Sequence, residues 1–202
     1  QEIGVVLSET GFSEFFTVSD IISILKCTYK RFDEDLFRSY CQRFDIPLDK
    51  KTRTFSTGMK AKLNIIIALT HHAKLLILDE PTAGLDVLTR DEILDILRDY
   101  MEQEDCTILI SSHISSDLES LCDDLYIIDH GQIIMHEEMD TLLSQYGVLK
   151  VSKEDYDNLD KDYLLGVMKE PFGYSCLTNE RQYYIEIYPT IVIEQNHIDT
   201  MI

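Results

Sequence analysis

The sequence predicts an α/β fold with a parallel sheet core, followed by a small α+β appendage. Short apolar runs alternate with amphipathic segments of helical period over residues 1–146. One of these runs, Leu75-Leu76-Ile77-Leu78, is continuously apolar, which is typical of a strand covered on both faces of a parallel sheet. From residue 147 the pattern changes to short, tyrosine-rich segments. We therefore expect a first domain over 1–146 and a second over 147–202.

The first part of the chain predicts one strand and three helices. A strand over 3–7 leads into a loop, and Thr17-Val18-Ser19-Asp20 has the residue types that cap a helix. A second helix begins near Asp33 and ends before Pro47. Ser56-Thr57-Gly58 then precedes a third helix that continues to about residue 71.

The remaining elements alternate as βαβ units require. Pro81 and Gly84 end the apolar strand and turn the chain. After that turn the pattern predicts a helix over 87–103, a strand over 107–110, a helix over 115–121, a hairpin of 125–128 with 133–136, and a helix over 138–146. The second domain is predicted to hold a strand over 148–151, a helix over 154–159, and strands over 174–177 and 183–188.

Composition limits the possible functions. The chain has 202 residues and a formal charge of -19, so its surface should repel nucleic acid, and we expect no nucleic-acid partner. A nucleotide site on so acidic a protein must depend on backbone amides, a helix N-terminus and Mg²⁺. Five cysteines without C-x-x-C spacing indicate reduced thiols. Apolar runs fall far short of the roughly 20 residues that span a bilayer, which predicts a soluble or peripheral protein.

Two acidic residues follow the central apolar strand directly. The carboxyl ends of parallel strands are where α/β sheets place their chemistry. There Asp79 can hold Mg²⁺, and Glu80 can polarise the water that attacks a terminal phosphate. The apolar strand followed by Asp79 and Glu80 therefore predicts the part of a nucleotide triphosphatase site that holds the metal ion and the attacking water.

A phosphate-binding helix N-terminus is predicted at Ser56 and Gly58. The unpaired N–H groups and the dipole of a helix start attract a phosphate, and glycine allows close approach of the backbone. A simple serine N-cap with a loop glycine explains the same residues. Asp86, which precedes the helix over 87–103, has the same two readings, a functional contact or a helix cap.

Four motifs in order resemble the ATP-hydrolysing subunit of bacterial export-type ABC transporters. Phe55-Ser56-Thr57-Gly58-Met59 lies where that family has its signature sequence LSGGQ. Leu75 to Glu80 is similar to Walker B with its glutamate, Ala83-Gly84-Leu85-Asp86 to the D-loop, and Ser111-Ser112-His113 to the switch histidine. Each motif alone is weak, but the order of all four is specific.

The resemblance implies a P-loop NTPase-like fold, with a helical subdomain over about 9–58 that docks a membrane permease subunit. It implies ATP and Mg²⁺ as cofactors, with Asp79 on the metal and Glu80 and His113 as catalytic residues. Ser56 and Gly58 would contact a phosphate of ATP held by a second ATPase subunit, in a head-to-tail homo- or heterodimer. Thr57 and Asp86 would also belong to the cofactor-binding residues, and Asp86 would signal across the dimer. The protein would lie in the cytoplasm, peripheral on the inner face of the cell membrane.

The sequence departs from the family pattern at three places. Ser8 stands at the position of the Q-loop glutamine, with Glu9 beside it, and these two are the candidates for that cofactor contact. The signature has Thr57 and Met59 in place of a glycine and a glutamine. No G-x-x-x-x-G-K-[ST] occurs, and no glycine is followed by lysine. We therefore expect a chain truncated at its N-terminus, without Walker A, that is inactive by itself.

Two other functions remain open from sequence. One is a soluble ABC-type ATPase without a transporter, although the duplicated cassettes or coiled-coil insertions usual in that class do not occur. The other is a non-catalytic regulatory or binding module. The sequence does not identify the transported substrate.

Overall fold

The structure is a computed structural model that describes residues 2–7, 12–194 and 198–200. Ser8 and Glu9, the residues at the Q-loop position, lie outside the described residues. The chain divides into two compact units, Gln1–Ile114 and Ser115–Ile202. The predicted domain boundary at 146–147 falls inside the second unit, and it stays a prediction.

The first unit contains a parallel sheet, as the sequence predicts, and its three strands have the order β1-β2-β3. The strands are β1 (Ile3–Val6), β2 (Leu75–Asp79) and β3 (Thr107–Ser111). The helices are α1 (Val18–Thr28), α2 (Glu34–Arg43), α3 (Thr57–Leu69) and α4 (Val87–Met101), with a 3-10 turn at Thr52–Thr54.

Side-chain caps fix where the helices of this unit begin. Thr17 and Asp20 form a reciprocal capping box at α1. Asp33 accepts a hydrogen bond from the Leu36 N–H at the start of α2. The predictions for these helix starts are confirmed, because the short oxygen-bearing side chains satisfy N–H groups that have no partner within the helix.

The two faces of the parallel sheet differ in burial. Leu76 and Leu78 of β2 are almost fully buried, at 0% and 1% exposure. On the other face, Val5 and Leu109 lie in one row with half-buried Ile77 and are 52% and 60% exposed. The prediction that β2 is covered on both faces is therefore wrong for the described residues. The continuous apolar run makes both faces of β2 apolar, but one of these faces is exposed to solvent.

The second unit contains a hairpin, a four-stranded sheet and four helices among its described residues. Antiparallel strands β4 (Asp124–Asp129) and β5 (Gln132–Glu138) form the hairpin. The sheet has the order β7-β8-β6-β9, with β6 (Gly147–Val151), β7 (Leu164–Glu170), β8 (Gly173–Thr178) and β9 (Val192–Glu194). The helices are α5 (Ser115–Leu121), α6 (Met139–Gln145), α7 (Lys153–Asn158) and α8 (Arg181–Ile187), and a 3-10 turn covers Ile198–Thr200.

One sequence prediction in this unit is wrong: residues 183–188 are not a strand but lie mainly in α8. Tyr184 and Tyr188 are four residues apart, so a helical turn brings both onto the backbone of Asp160. The Tyr184 hydroxyl donates to the Asp160 carbonyl at 2.8 Å, and the Asp160 N–H donates to the Tyr188 hydroxyl at 2.8 Å. Strands β7 and β9 were not predicted. Tyrosine-rich composition favoured strand here, but these contacts favour helix.

Candidate functional site

The acidic pair lies at the carboxyl end of β2, beside the end of β3. Asp79 is paired in register with Ser111, and the Ser111 hydroxyl donates to Asp79 Oδ1 at 2.7 Å. Asp79 is exposed. Because neighbouring parallel strands end at the same edge, a serine on β3 reaches a carboxylate on β2 without any loop rearrangement.

Glu80 takes a left-handed backbone conformation, with φ of +49°. Its N–H donates to the Ser111 carbonyl at 3.0 Å, and its carbonyl accepts from the Ala83 N–H at 3.2 Å. A non-glycine residue in this region is costly, and such residues cluster at functional sites. In this conformation the Glu80 side chain contacts His113.

His113 and Glu80 form an ion pair or hydrogen bond across the strand ends. His113 Nδ1 lies 2.7 Å from Glu80 Oε2, and the His113 backbone N–H donates to the same oxygen at 3.4 Å. The His113 side chain is 69% exposed and that of Glu80 30%. The carboxylate is thus held by a ring and an amide while its remaining oxygen can meet a water molecule. Such a pair can accept a proton from an attacking water.

Asp79 and Glu80 form an acidic edge at the carboxyl end of β2. This acidic edge fits Mg²⁺ as part of a larger donor set. Among the described residues, no group of three or more His, Cys, Asp and Glu side chains is placed to hold a metal ion. Mg²⁺ is commonly bound by one or two carboxylates together with phosphate oxygens and water. Exposed Asp79, with Glu80 next to it, suits that donor set. Its role as metal ligand stays a prediction.

The predicted phosphate site lies at the start of α3. Ser56 is the N-cap, and its hydroxyl accepts from the Met59 N–H at 3.2 Å, while Thr57 is the first helical residue. A Cβ atom added to Gly58 would point at α4 and would lie 2.8 Å from Thr89 Cγ2. Glycine at this position thus has a packing reason inside the chain, which the sequence argument about phosphate approach did not include.

Asp86 caps α4, as one of its two readings predicts. Its carboxylate accepts from the Thr89 N–H at 3.0 Å and from the Thr89 hydroxyl at 2.9 Å. These hydrogen bonds from Thr89 lower the pKa of Asp86 below its ordinary value. Thr89 therefore connects the D-loop aspartate with Gly58 of the signature segment.

The predicted site residues fall into two groups. Asp79, Glu80 and His113 meet at the ends of β2 and β3, whereas Ser56, Thr57, Gly58 and Asp86 occupy the starts of α3 and α4. Sequence reasoning assigned no role to Ser111 or Thr89. Strand register identifies the first, because Ser111 ends β3 opposite Asp79. Thr89 carries no sequence signal beyond its place three residues after a helix cap.

Known proteins similar to this chain are ATP-binding subunits of ABC transporters. Residues 19–116 match the family model described as "AAA domain, putative AbiEii toxin, Type IV TA system". The ABC transporter ATP-binding protein YtrB of Bacillus subtilis is 30% identical over 151 residues, which are 75% of this chain and 52% of that protein. The lantibiotic transport ATP-binding protein SrtF of Streptococcus pyogenes is 46% identical over 94 residues, which are 46% of this chain and 41% of that protein.

Two solved structures of similar fold are an ATP-binding subunit of an ABC transporter and an ATP-binding cassette. The structure of an ATP-binding subunit of an ABC transporter superposes with a TM-score of 0.59 at 24% identity, over 71% of this chain and 62% of the other. A dimeric ATP-binding cassette in a post-hydrolysis state, bound to ADP and Pi, gives 0.58 at 18% identity, over 68% and 63%. The predicted P-loop NTPase-like fold class is confirmed. The chain spans about half the length of the curated relatives it matches.

Proposed function

We propose that this chain forms the Walker B, signature and switch portion of an ATPase subunit. The chain is a homologue of bacterial ABC transporter ATP-binding proteins of the export and resistance type. The observation that carries the proposal is the contact of Glu80 with His113 beside Asp79, at the carboxyl end of a parallel sheet. In this proposal the subunit hydrolyses ATP and drives export through membrane permease subunits.

Asp79, Glu80 and His113 divide the tasks of hydrolysis among them. Asp79 holds Mg²⁺, which neutralises charge on the phosphates when it is bound. Glu80 accepts the proton of the attacking water, and His113 keeps the Glu80 carboxylate in place and donates toward the terminal phosphate. The short distance of 2.7 Å between Glu80 and His113 supports this division of roles.

The starts of α3 and α4 form the second half of the proposed site. Ser56 and Thr57 at the start of α3 are exposed, and a phosphate of ATP held by a second subunit can dock at this helix N-terminus. Asp86 lies at the start of the neighbouring helix. One solved neighbour is a dimer with ADP and Pi, which is in line with a dimer here. The head-to-tail arrangement, as a homo- or heterodimer, is part of the proposal. Ser8 and Glu9, outside the described residues, stay candidates for the Q-loop contact.

The open face of the parallel sheet supports the view that this portion needs a further segment. Parallel sheets are normally covered on both faces. Here Ile3, Val5 and Leu109 are each more than half exposed. The chain also has no lysine-bearing phosphate loop in its sequence. We propose that a segment carrying G-x-x-x-x-G-K-[ST] covers this face and completes the ATP site, and that the chain alone does not hydrolyse ATP.

The proposed location is the cytoplasm, at the inner face of the cell membrane, where permease subunits would bind the helical subdomain. None of the described helices is long and apolar enough to cross a bilayer. Phe15, 65% exposed, is part of the loop that precedes α1 and is a candidate for that contact.

The test compares the chain with a version extended at its N-terminus by a phosphate-loop segment from a relative. We expect saturable, Mg²⁺-dependent ATP hydrolysis only from the extended protein. In the extended protein, Glu80→Gln should lower kcat by about 100-fold or more, because the proton acceptor is lost. Glu104→Gln makes the same charge change at an exposed position after α4 and should leave kcat unchanged.

Two outcomes would contradict the proposal. Strong MgATP binding by the chain alone in calorimetry would show that its own residues complete a nucleotide site. An unchanged kcat in Glu80→Gln would remove the catalytic role of Glu80. If neither protein hydrolyses ATP, the non-catalytic binding or regulatory module becomes the better reading.

A further inference from the structure

We propose that Ser111 is a positioning residue for the acidic edge, which fixes Asp79 and Glu80 relative to each other. This inference rests on the proposed function, because its consequence concerns Mg²⁺ bound at Asp79. The sequence argument used Ser111 only as part of a motif, and the structure gives it two contacts of its own.

The first contact is with the Asp79 side chain. The Ser111 hydroxyl donates to Asp79 Oδ1 at 2.7 Å, which is the usual distance for an O–H donor. An exposed aspartate at the end of a strand otherwise moves among several staggered rotamers. The hydrogen bond selects one of them and leaves Asp79 Oδ2 outside this contact, as the oxygen that would meet a metal ion.

The second contact is with the Glu80 backbone. The Ser111 carbonyl accepts from the Glu80 N–H at 3.0 Å. This bond continues the parallel ladder by one residue and holds Glu80 in its left-handed conformation. One residue of β3 thus contacts both members of the acidic pair, the first through its side chain and the second through its main chain.

The two contacts separate under mutation, and this makes the role testable. Ser111→Ala removes the hydroxyl but keeps the carbonyl, so Asp79 should be released while the backbone of Glu80 stays in place. Ser111→Thr keeps the hydroxyl and suits a strand, so it should restore the wild-type behaviour. Thr107→Ala removes a hydroxyl at the opposite end of the same strand and is the matched control.

The experiment uses the 202-residue chain, labelled with ¹³C and ¹⁵N. Three-bond couplings to Asp79 Cγ measure its χ1 distribution. We expect one rotamer in the wild type, Ser111→Thr and Thr107→Ala, and averaging over several in Ser111→Ala. Metal affinity is then measured by paramagnetic titration with Mn²⁺ in the presence of ATP, in the version of the chain extended by a phosphate-loop segment and in the same variants of it. The apparent Kd for Mn²⁺ should rise about 10-fold in Ser111→Ala, as is usual when a residue that orients a metal ligand is lost.

A single Asp79 rotamer in Ser111→Ala would overturn the inference, since the hydroxyl would then not position the carboxylate. Averaging in Ser111→Thr as well would overturn it too. The variant Asp79→Asn separates this failure from failure of the proposed function. If Asp79→Asn leaves Mn²⁺ affinity unchanged while Ser111→Ala frees the rotamer, the metal role of Asp79 is wrong and the positioning role of Ser111 stands.

Discussion

Gly58 offers a sharp test of the packing between α3 and α4. A Cβ at position 58 would lie 2.8 Å from Thr89 Cγ2 and 3.1 Å from Thr89 Oγ1. Carbon atoms in contact are normally at least about 3.5 Å apart, so the first distance is too short by about 0.7 Å. Thr89 cannot rotate away at no cost, because its hydroxyl donates to Asp86 Oδ2.

The expected magnitude for Gly58→Ala follows from two opposing effects. Overpacking of this kind costs about 1–3 kcal/mol. Replacing glycine by alanine in a helix stabilises by up to about 1 kcal/mol. We expect a net loss of about 1 kcal/mol in the free energy of unfolding of the first unit. The companion change Thr89→Ser removes Cγ2 and keeps the hydroxyl bond to Asp86, so it should relieve the clash.

The assay is a double-mutant cycle of wild type, Gly58→Ala, Thr89→Ser and the double variant. Urea unfolding followed through amide signals of α3 and α4 gives the four free energies. We expect a coupling energy of about 1 kcal/mol, with the double variant at least as stable as Thr89→Ser. Additive effects within about 0.3 kcal/mol would refute the reasoning, because Thr89 would then not be what Gly58 accommodates.

Three further predictions concern the core, a helix cap and a titration. Leu97→Ala, at a fully buried position of α4, should destabilise the first unit by about 2–5 kcal/mol in denaturant unfolding. Leu88→Ala, at a 77% exposed position of the same helix, should change the free energy of unfolding by no more than about 0.5 kcal/mol. Equal effects of the two changes would contradict the burial of Leu97. Ser56→Ala should lower the free energy of unfolding by about 1 kcal/mol, because the Met59 N–H loses its acceptor. Ser56→Asp should recover most of this loss in the same assay. An unchanged stability of Ser56→Ala would contradict the capping role of Ser56. The hydrogen bond from the Tyr183 hydroxyl to Asp160 raises the pKa of Tyr183 from 10.0 to about 12. The contribution of this hydrogen bond to stability is therefore full below about pH 10 and is lost as the pH rises through about 12. A ring-carbon NMR titration should find the pKa of Tyr183 lowered toward 10.0 in Asp160→Asn. A Tyr183 pKa that stays the same in Asp160→Asn would contradict the pairing.

The sequence predicted the order of elements in the first unit well, for a physical reason. Helix starts such as Thr17 and Asp33 are marked by side chains that bond to N–H groups three residues away, so the signal is local. The strand that ends at Asp79 is marked by an uninterrupted apolar run. The second unit was predicted less well, because α8 is fixed by Tyr184 and Tyr188 reaching Asp160, more than twenty residues away.

By itself, the sequence determined the α/β class, the strand that ends at Asp79 just before Glu80, and the order of motifs that relates the chain to ABC ATPases. These depend on periodicity and on short spacings, which the chain order contains directly. Only the tertiary structure decided that Ser111 meets Asp79, that Gly58 faces Thr89, and that one face of the sheet is open. These facts depend on strand register and helix packing, which join residues distant in sequence and leave no local pattern.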